Sequence, residues 1–369
     1  MPFVDLAWQH EVIADNVLEP LIAVMAKGSF INGPDVAAFE SEFAAFSGAS
    51  HCVGVANGTD AIELALRAAR IEAGTSVIVP ANTFIATAEA VVRAGARPQL
   101  VDCDRFGLID PAGVAATVGP ETSAVIPVHL FGQMADMEAI SQVADTRHVK
   151  VVEDAAQAQG ASRSGRGIGS FGIAAATSFY PGKNLGAYGD GGAVLTNDMD
   201  VARSVRRLAN HGSDVKYEHS EVGWNSRLDT IQAVVLRAKL RRLSEWNDHR
   251  RWAAGLYDEM LQPLADRGLL RRPEVAPGNS PVWHLYVIRV DRRDEILADL
   301  AAARVGSGIH YPVPVHLAEA FRYLGHGPGD FPVAEAMAAE ILSLPIYPGI
   351  TEGLIARVVQ VLTLALKRR

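Results

Sequence analysis

Thr177-Ser178-Phe179-Tyr180-Pro181-Gly182-Lys183-Asn184-Leu185-Gly186 joins a strand-like run, Ala174–Phe179, to a Pro-Gly turn that presents one lysine. Proline fixes φ and glycine permits many conformations, so the pair ends regular structure and sets Lys183 on a tight loop. An amine held there, partly out of water, is able to attack a carbonyl and form a Schiff base. A lone loop lysine is ordinarily just solvated, so the reading depends on what surrounds it. Working outward, short apolar runs alternate with helical patterns. The expected strands are Cys52–Val55, Ser76–Val79, Arg97–Val101, Ser123–Val128, Val149–Val152, Ala174–Phe179 and Gly192–Thr196. The helices expected between and around them run over Asp15–Lys27, Asp35–Phe46, Asp60–Ala69, Ala86–Arg93 and Met137–Ala144. This repetition is that of an α/β protein with a mostly parallel sheet covered on both faces.

At 369 residues the chain is long for one core, and two domains are expected. A helical pattern from Asp229 to Glu245 carries the chain out of the first, residues 1–245. After Leu270 the texture changes. Pro273, Pro277-Gly278 and Pro281 precede a strand, Trp283–Val290, and a helix, Asp294–Ala302, so residues 246–369 read as a smaller α+β domain. A formal net charge of −8 argues against nucleic-acid binding. No apolar stretch is long enough for a bilayer, and the N-terminus has no signal-peptide pattern, so no membrane is expected. Cys52 and Cys103 have no metal-ligand spacing, and buried reduced thiols in a cytoplasmic protein are expected, with no metal.

Three further segments stand at strand ends. Ala56-Asn57-Gly58-Thr59-Asp60 leads into a helix, whose free backbone amides suit a phosphate. Asp60 with Glu63 also resembles a capping box, which explains the segment without a ligand. Val151-Val152-Glu153-Asp154 ends a buried-type strand where open α/β sheets bind ligands. Asp154 there reads either as a partner for a ring nitrogen or as a helix cap. Asn82-Thr83-Phe84 offers a ring that either stacks on a planar ligand or packs in the core. Together, a Schiff-base lysine, an acid for a pyridine nitrogen, a phosphate cup and a flat ring fit pyridoxal phosphate.

The sequence also closely resembles the DegT/DnrJ/EryC1/StrS sugar aminotransferases, within the fold type I pyridoxal-phosphate enzymes. The resemblance runs from Phe3-Val4-Asp5-Leu6 to Leu344-Pro345-Ile346-Tyr347-Pro348. Its most specific segments are Asn57-Gly58-Thr59-Asp60-Ala61, Asn82-Thr83-Phe84, Val128-His129-Leu130-Phe131-Gly132-Gln133, Glu153-Asp154-Ala155-Ala156-Gln157 and Ser178–Asn184. It implies a large domain with a seven-stranded sheet. It also implies that Lys183 is the Schiff-base lysine, Asp154 the partner of the pyridine nitrogen, Gln157 that of the phenolic oxygen, and Phe84 the stacking ring. Gly58, Thr59 and Ser178 are implied as phosphate ligands. Asn225 is implied to reach the phosphate from the other subunit of a homodimer with shared sites. Many members carry histidine where this chain has Gln159.

The wording of Ser178–Asp190, Gly212–Tyr217 and Asn225–Asp229 is similar to members that aminate C-3 of dTDP-3-keto-6-deoxyhexoses, with glutamate the usual amino donor. A diphosphate would meet Lys216 and Tyr180, a point charge and a phenol. His310 and Tyr311, in Gly308–Pro312, resemble the segment near the sugar. Rival readings are amination at C-4 or of a keto-cyclitol, a dehydratase (whose lysine is replaced by histidine) and a non-catalytic regulatory protein.

Overall fold

Seven short runs form the central sheet of the computed structural model, which describes residues 1–368. Arg369, the last residue of the expected second domain, lies outside the described residues. The strands are β1 (His51–Val55), β2 (Ser76–Pro80), β3 (Arg97–Val101), β4 (Thr122–Val125) and β5 (Lys150–Asp154). After a hairpin of two-residue strands, β6 (Ser162–Arg163) and β7 (Arg166–Gly167), come β8 (Ala174–Ser178) and β9 (Gly192–Thr196). The order is β1-β9-β8-β5-β4-β2-β3. All neighbours run parallel except β9, which is antiparallel to both β1 and β8.

Side chains alternate across a strand, and the two cores show it. Val77 and Val79 of β2 enter one core and Ile78 the other, as do Ala174 and Ala176 of β8 against Ala175. One face is covered by α3 (Gly58–Ala68), α4 (Ile85–Arg93) and α7 (Met199–Ala209). The other is covered by α2 (Pro34–Ser47), α5 (Pro111–Thr117), α6 (Met137–Arg147) and the first half of α8 (Thr230–Ala265). Helix α1 (Leu6–Lys27) lies against α8.

Helix α8 does not stop near Glu245. Its 36 residues, about 54 Å of helix, run on into a separate core through Ala253, Ala254, Tyr257 and Leu261. There they meet the hairpin-like pair β10 (Tyr286–Arg289) and β11 (Ile341–Leu344), with α9 (Arg293–Ala302) and α10 (Glu352–Lys367). Met1 and Val4 pack on this same core, so the N-terminal segment bridges the two units. No helix among the described residues is long and apolar enough to cross a membrane.

Several boundaries differ from the sequence reading for local reasons. Helix α1 begins at Leu6, because the Asp5 carboxylate accepts the Trp8 amide at 3.0 Å. Helix α2 is entered through Gly33 and Pro34, not capped by Asp35. Helix α3 is capped by Asn57, whose Oδ1 accepts the Asp60 amide at 2.8 Å. Asp60 and Glu63 form no capping box, since Arg93 pairs with both and Arg67 also takes Glu63. The strand expected from Trp283 starts only at Tyr286, because Trp283 has a φ of 46°.

Adjacent acids at the end of β5 face opposite ways. Glu153 is fully buried and accepts from the amides of Gly169, Phe171 and Gly172 and from His129 Nε2 at 3.0 Å. His129 Nδ1 accepts the Ala135 amide, so Nε2 carries the ring hydrogen. Burial raises the Glu153 carboxyl, but the His129 hydrogen bond and the glycine amides outweigh it and hold it below the usual range. A carboxyl depressed in the folded state adds stability above its unfolded value, and that stability is lost as pH falls through the folded value. Glu153→Gln turns an NH2 toward these donors. It is expected to cost about 3 kcal/mol, read as a lower urea midpoint at pH 7, with the loss shrinking in acid. A change below about 1 kcal/mol contradicts the anchoring role.

Candidate active site

The parallel strands end along one edge, and the loops leaving them enclose a cavity of about 920 Å³. Gly58, Thr59, Phe84, Asp154, Gln157, Ser178, Tyr180, Lys183, His310 and Tyr311 all line it. The predicted residues thus converge from segments more than 250 positions apart (Gly58 to Tyr311, 311 − 58 = 253).

Lys183 comes at the end of a turn in which its amide donates to Tyr180 O at 2.8 Å. Gly186 closes the loop, and a Cβ there would run into Pro181 O. Removal of the amine from water lowers the Lys183 pKa to about 8, against an opposing pull from Asp154. Asn184, buried next door, donates to Asn247 Oδ1 at 2.9 Å and Val282 O at 3.0 Å, and so anchors the loop to α8.

Asp154 is buried with both oxygens in use. Thr87 Oγ1 donates to Oδ2 at 2.7 Å and the Ala156 amide to Oδ1 at 3.1 Å. Because Thr87 gives its hydrogen to Asp154, it accepts from Thr83 Oγ1 at 2.8 Å. Gln157 accepts the Phe131 amide at 2.7 Å and donates to the Tyr311 hydroxyl at 3.1 Å, which leaves one Nε2 hydrogen for a ligand. Phe84 is 49 % exposed, and its ring centroid lies 5.0 Å from that of Tyr311. It is a pocket wall, not a core residue.

The cavity fits a planar, phosphorylated aldehyde. The Gly58 and Thr59 amides open α3 and have no acceptor among the described residues. A Cβ on Gly58 would stand 2.6 Å from Ser178 Cβ, so glycine keeps that cradle open. Ser178 Oγ accepts the Tyr180 amide at 3.2 Å and keeps its own hydrogen for an anion. Donors therefore cluster at one end, with the amine, the carboxylate and the exposed ring on the walls.

Two predicted residues stay apart. Lys216 is exposed, its Nζ 4.9 Å from the Tyr217 ring centre, and Asn225 is exposed; neither lines the cavity of its own chain. Others were missed. Phe3 stacks on His310 with centroids 5.6 Å apart, and His284 lines the wall with Nδ1 3.1 Å from Asn184 Oδ1. Burial first, then the charge of Lys183, lowers His310 to about 4. Gln159 occupies the position at which histidine is expected from the resemblance. It is buried and donates to Thr177 Oγ1 at 3.0 Å and Ser178 O at 2.7 Å, bracing the strand end that leads to the lysine.

In sequence, the DegT/DnrJ/EryC1/StrS aminotransferase family profile matches residues 11–363. The chain is 46% identical to the erythromycin biosynthesis sensory transduction protein EryC1 of Saccharopolyspora erythraea, over 94% of each chain. It is 44% identical to dTDP-3-amino-3,4,6-trideoxy-alpha-D-glucose transaminase of Streptomyces venezuelae, over 97% of this chain and 94% of that one. Among solved structures, S. venezuelae DesV in complex with a ketimine intermediate superposes with a TM-score of 0.96 at 43% identity, covering 100% of this chain and 99% of that one.

In the cofactor-free protein, Lys183 should acylate with a midpoint near pH 8, read by mass spectrometry of its peptide across a pH series. A midpoint near 10.5, the ordinary lysine value, contradicts the desolvated amine.

Proposed function

The chain belongs to the DegT/DnrJ/EryC1/StrS aminotransferase family and is a pyridoxal-phosphate-dependent aminotransferase, and from that premise we propose that it aminates a nucleotide-linked keto-deoxysugar. The substrate is a dTDP-3-keto-6-deoxyhexose, aminated at C-3, with L-glutamate as donor. The observation that carries this reading is the convergence of Lys183, Asp154, Gln157, Phe84, Ser178 and the Gly58-Thr59 amides on one cavity. The name of the S. venezuelae transaminase, an enzyme of a 3-amino dTDP-sugar, supports the choice of carbon and nucleotide.

Gly58, Thr59 and Ser178 would hold the phosphate, Phe84 would cover the ring, and Gln157 would offer its spare N–H to the phenolic oxygen. Bound pyridoxal phosphate supplies an aldehyde that links to amines and a ring that draws electrons from the carbon bearing the amine. Asp154, fixed by Thr87 and Ala156, would hold the proton on the ring nitrogen, because a nearby carboxylate favours the cation. Lys183 is the amine to which that aldehyde would attach. As a free amine, its Nζ would take the proton from the donor's α-carbon and deliver one to the sugar carbon that receives the amine. A pKa near 8 lets it do both at neutral pH. Tyr180, His310 and Tyr311 line the same cavity; Tyr180 would meet the diphosphate, and His310 and Tyr311 the sugar.

The protein works as a homodimer with shared sites. Lys216 and Asn225 lie outside their own cavity on a segment whose Tyr217 and Val222 are 80 % and 89 % exposed, as suits residues that serve the partner's site. Two buried, unpaired thiols, Cys52 and Cys103, accord with a cytoplasmic setting.

Transamination with glutamate should be assayed on dTDP-3-keto, dTDP-4-keto and UDP-keto sugars and on a keto-cyclitol, with the new amine located by NMR. Turnover is expected on the first, with the amine at C-3. Amine at C-4, or turnover only on a keto-cyclitol, contradicts the substrate. Lys183→Ala should lose all transamination and the visible absorbance of the loaded enzyme; a colourless wild-type protein after cofactor addition would favour the non-catalytic reading.

Shared sites make a separate prediction. Lys183→Ala and Asn225→Ala chains, each inactive alone, should regain up to about a quarter of wild-type activity after subunit exchange. Half of the dimers are then mixed, and each mixed dimer has one site free of both changes. No recovery in a mixture shown to exchange contradicts sharing.

A further inference from the structure

The hydrogen on the His284 ring is assigned by a run of amides that rests on two backbone carbonyls. A carbonyl only accepts, so Gln159 O, 2.9 Å from Asn247, identifies the nitrogen end of that side chain. Asn247 Oδ1 then faces Asn184 Nδ2 at 2.9 Å, and Val282 O takes the second hydrogen of the same Nδ2 at 3.0 Å. Asn184 Oδ1 is therefore the atom 3.1 Å from His284 Nδ1. An amide oxygen cannot donate, so Nδ1 carries the hydrogen. In the neutral ring Nε2 is left with a lone pair. Burial, followed by the charges of Lys183, Arg250 and His310, pushes the ring far below its ordinary value and keeps it neutral.

The lone pair opens onto the site. His284 lines the same cavity as Lys183 and is half-buried. Nε2 has no partner among the described residues and is not one of the buried polar atoms left without one. Among the cavity's other polar groups, the Gln157 amide, the Ser178 hydroxyl and the Tyr311 hydroxyl, which accepts from Gln157 and keeps its own, offer hydrogens, while the Asp154 carboxylate already accepts from Thr87 and Ala156. A neutral acceptor beside the reacting lysine suits an O–H more than an anion.

We propose that His284 reads a hydroxyl on a carbon adjoining the keto carbon of the sugar, accepting its O–H through Nε2, and so helps determine substrate specificity. This rests on the keto-sugar reading above. Asn184 thus has two tasks. It anchors the loop of the reactive lysine, and it sets the tautomer of the group that reads the substrate.

Two substitutions separate the two ring nitrogens. His284→Asn keeps a donor toward Asn184 and removes the pocket acceptor, whereas His284→Gln returns an amide oxygen near Nε2. For the wild type, kcat/KM on the hydroxylated keto sugar should exceed that on its deoxy counterpart by about 100-fold or more, since a site built for a hydroxyl rejects the analogue lacking it. His284→Asn should bring that ratio to within about threefold, and His284→Gln should keep most of it. Independently of turnover, ¹⁵N-histidine NMR of the wild type should show Nδ1 protonated and Nε2 bare, with the Nε2 resonance moving when the nucleotide-linked amino sugar binds. That measurement decides the matter if His284→Asn fails to fold. A protonated Nε2, or one unmoved by the amino sugar, overturns the proposal. So does wild-type turnover without discrimination, or full discrimination in His284→Asn, and these leave the keto-sugar reading intact. No turnover on either sugar overturns that reading and the hydroxyl assignment with it.

Discussion

A lysine amine held away from water, in the field of one carboxylate, is the constraint that organises this protein. Desolvation and Asp154 pull the Lys183 pKa in opposite directions, and desolvation wins. A freely solvated lysine would be protonated at neutral pH and a poor nucleophile. Keeping the amine available therefore requires a loop that cannot swing into solvent. The Tyr180–Lys183 turn, the glycine contact at Gly186 and the anchoring of Asn184 on α8 supply that restraint.

The sheet makes the rest of the site possible through strand alternation. At the end of β5, Asp154 points into the cavity while its neighbour Glu153 points to the other face, where it ties down His129 and the Gly169–Gly172 loop. One residue step thus separates a functional carboxylate from a structural one. The same economy appears at β8. Ser178 faces the anion end of the cavity, and Thr177, one step back, is buried against Gln159 and Ala155.

Much of this was legible in the chain because the functional residues follow apolar runs that announce their strands. Asp154 closes Val151-Val152-Glu153, Ser178 and Lys183 follow the alanine-rich run, and Gly58-Thr59 sits between strand and helix. Asp60 and Glu63 misled, because their spacing fits a capping box while Arg93 takes both carboxylates and Arg67 also takes Glu63. The shorter Asn57 then caps the helix. His284 was hidden inside a strand-like run. Only the positive φ of Trp283 breaks that run and allows the ring to line the pocket, which is a tertiary outcome. Phe3 was hidden for a similar reason, since nothing local tells an N-terminal segment to fold back over His310. Lys216 and Asn225 belong to a question that a single chain does not pose, namely what lies across a subunit boundary.

The central claim is that Lys183, and no other lysine, makes the covalent bond to the cofactor. Borohydride reduction of the loaded protein, followed by peptide mapping, tests it most directly. The pyridoxyl mass is predicted on the peptide that contains Lys183. Its appearance on Lys150, Lys216 or the buried Lys239, or on no lysine at all, would contradict the account.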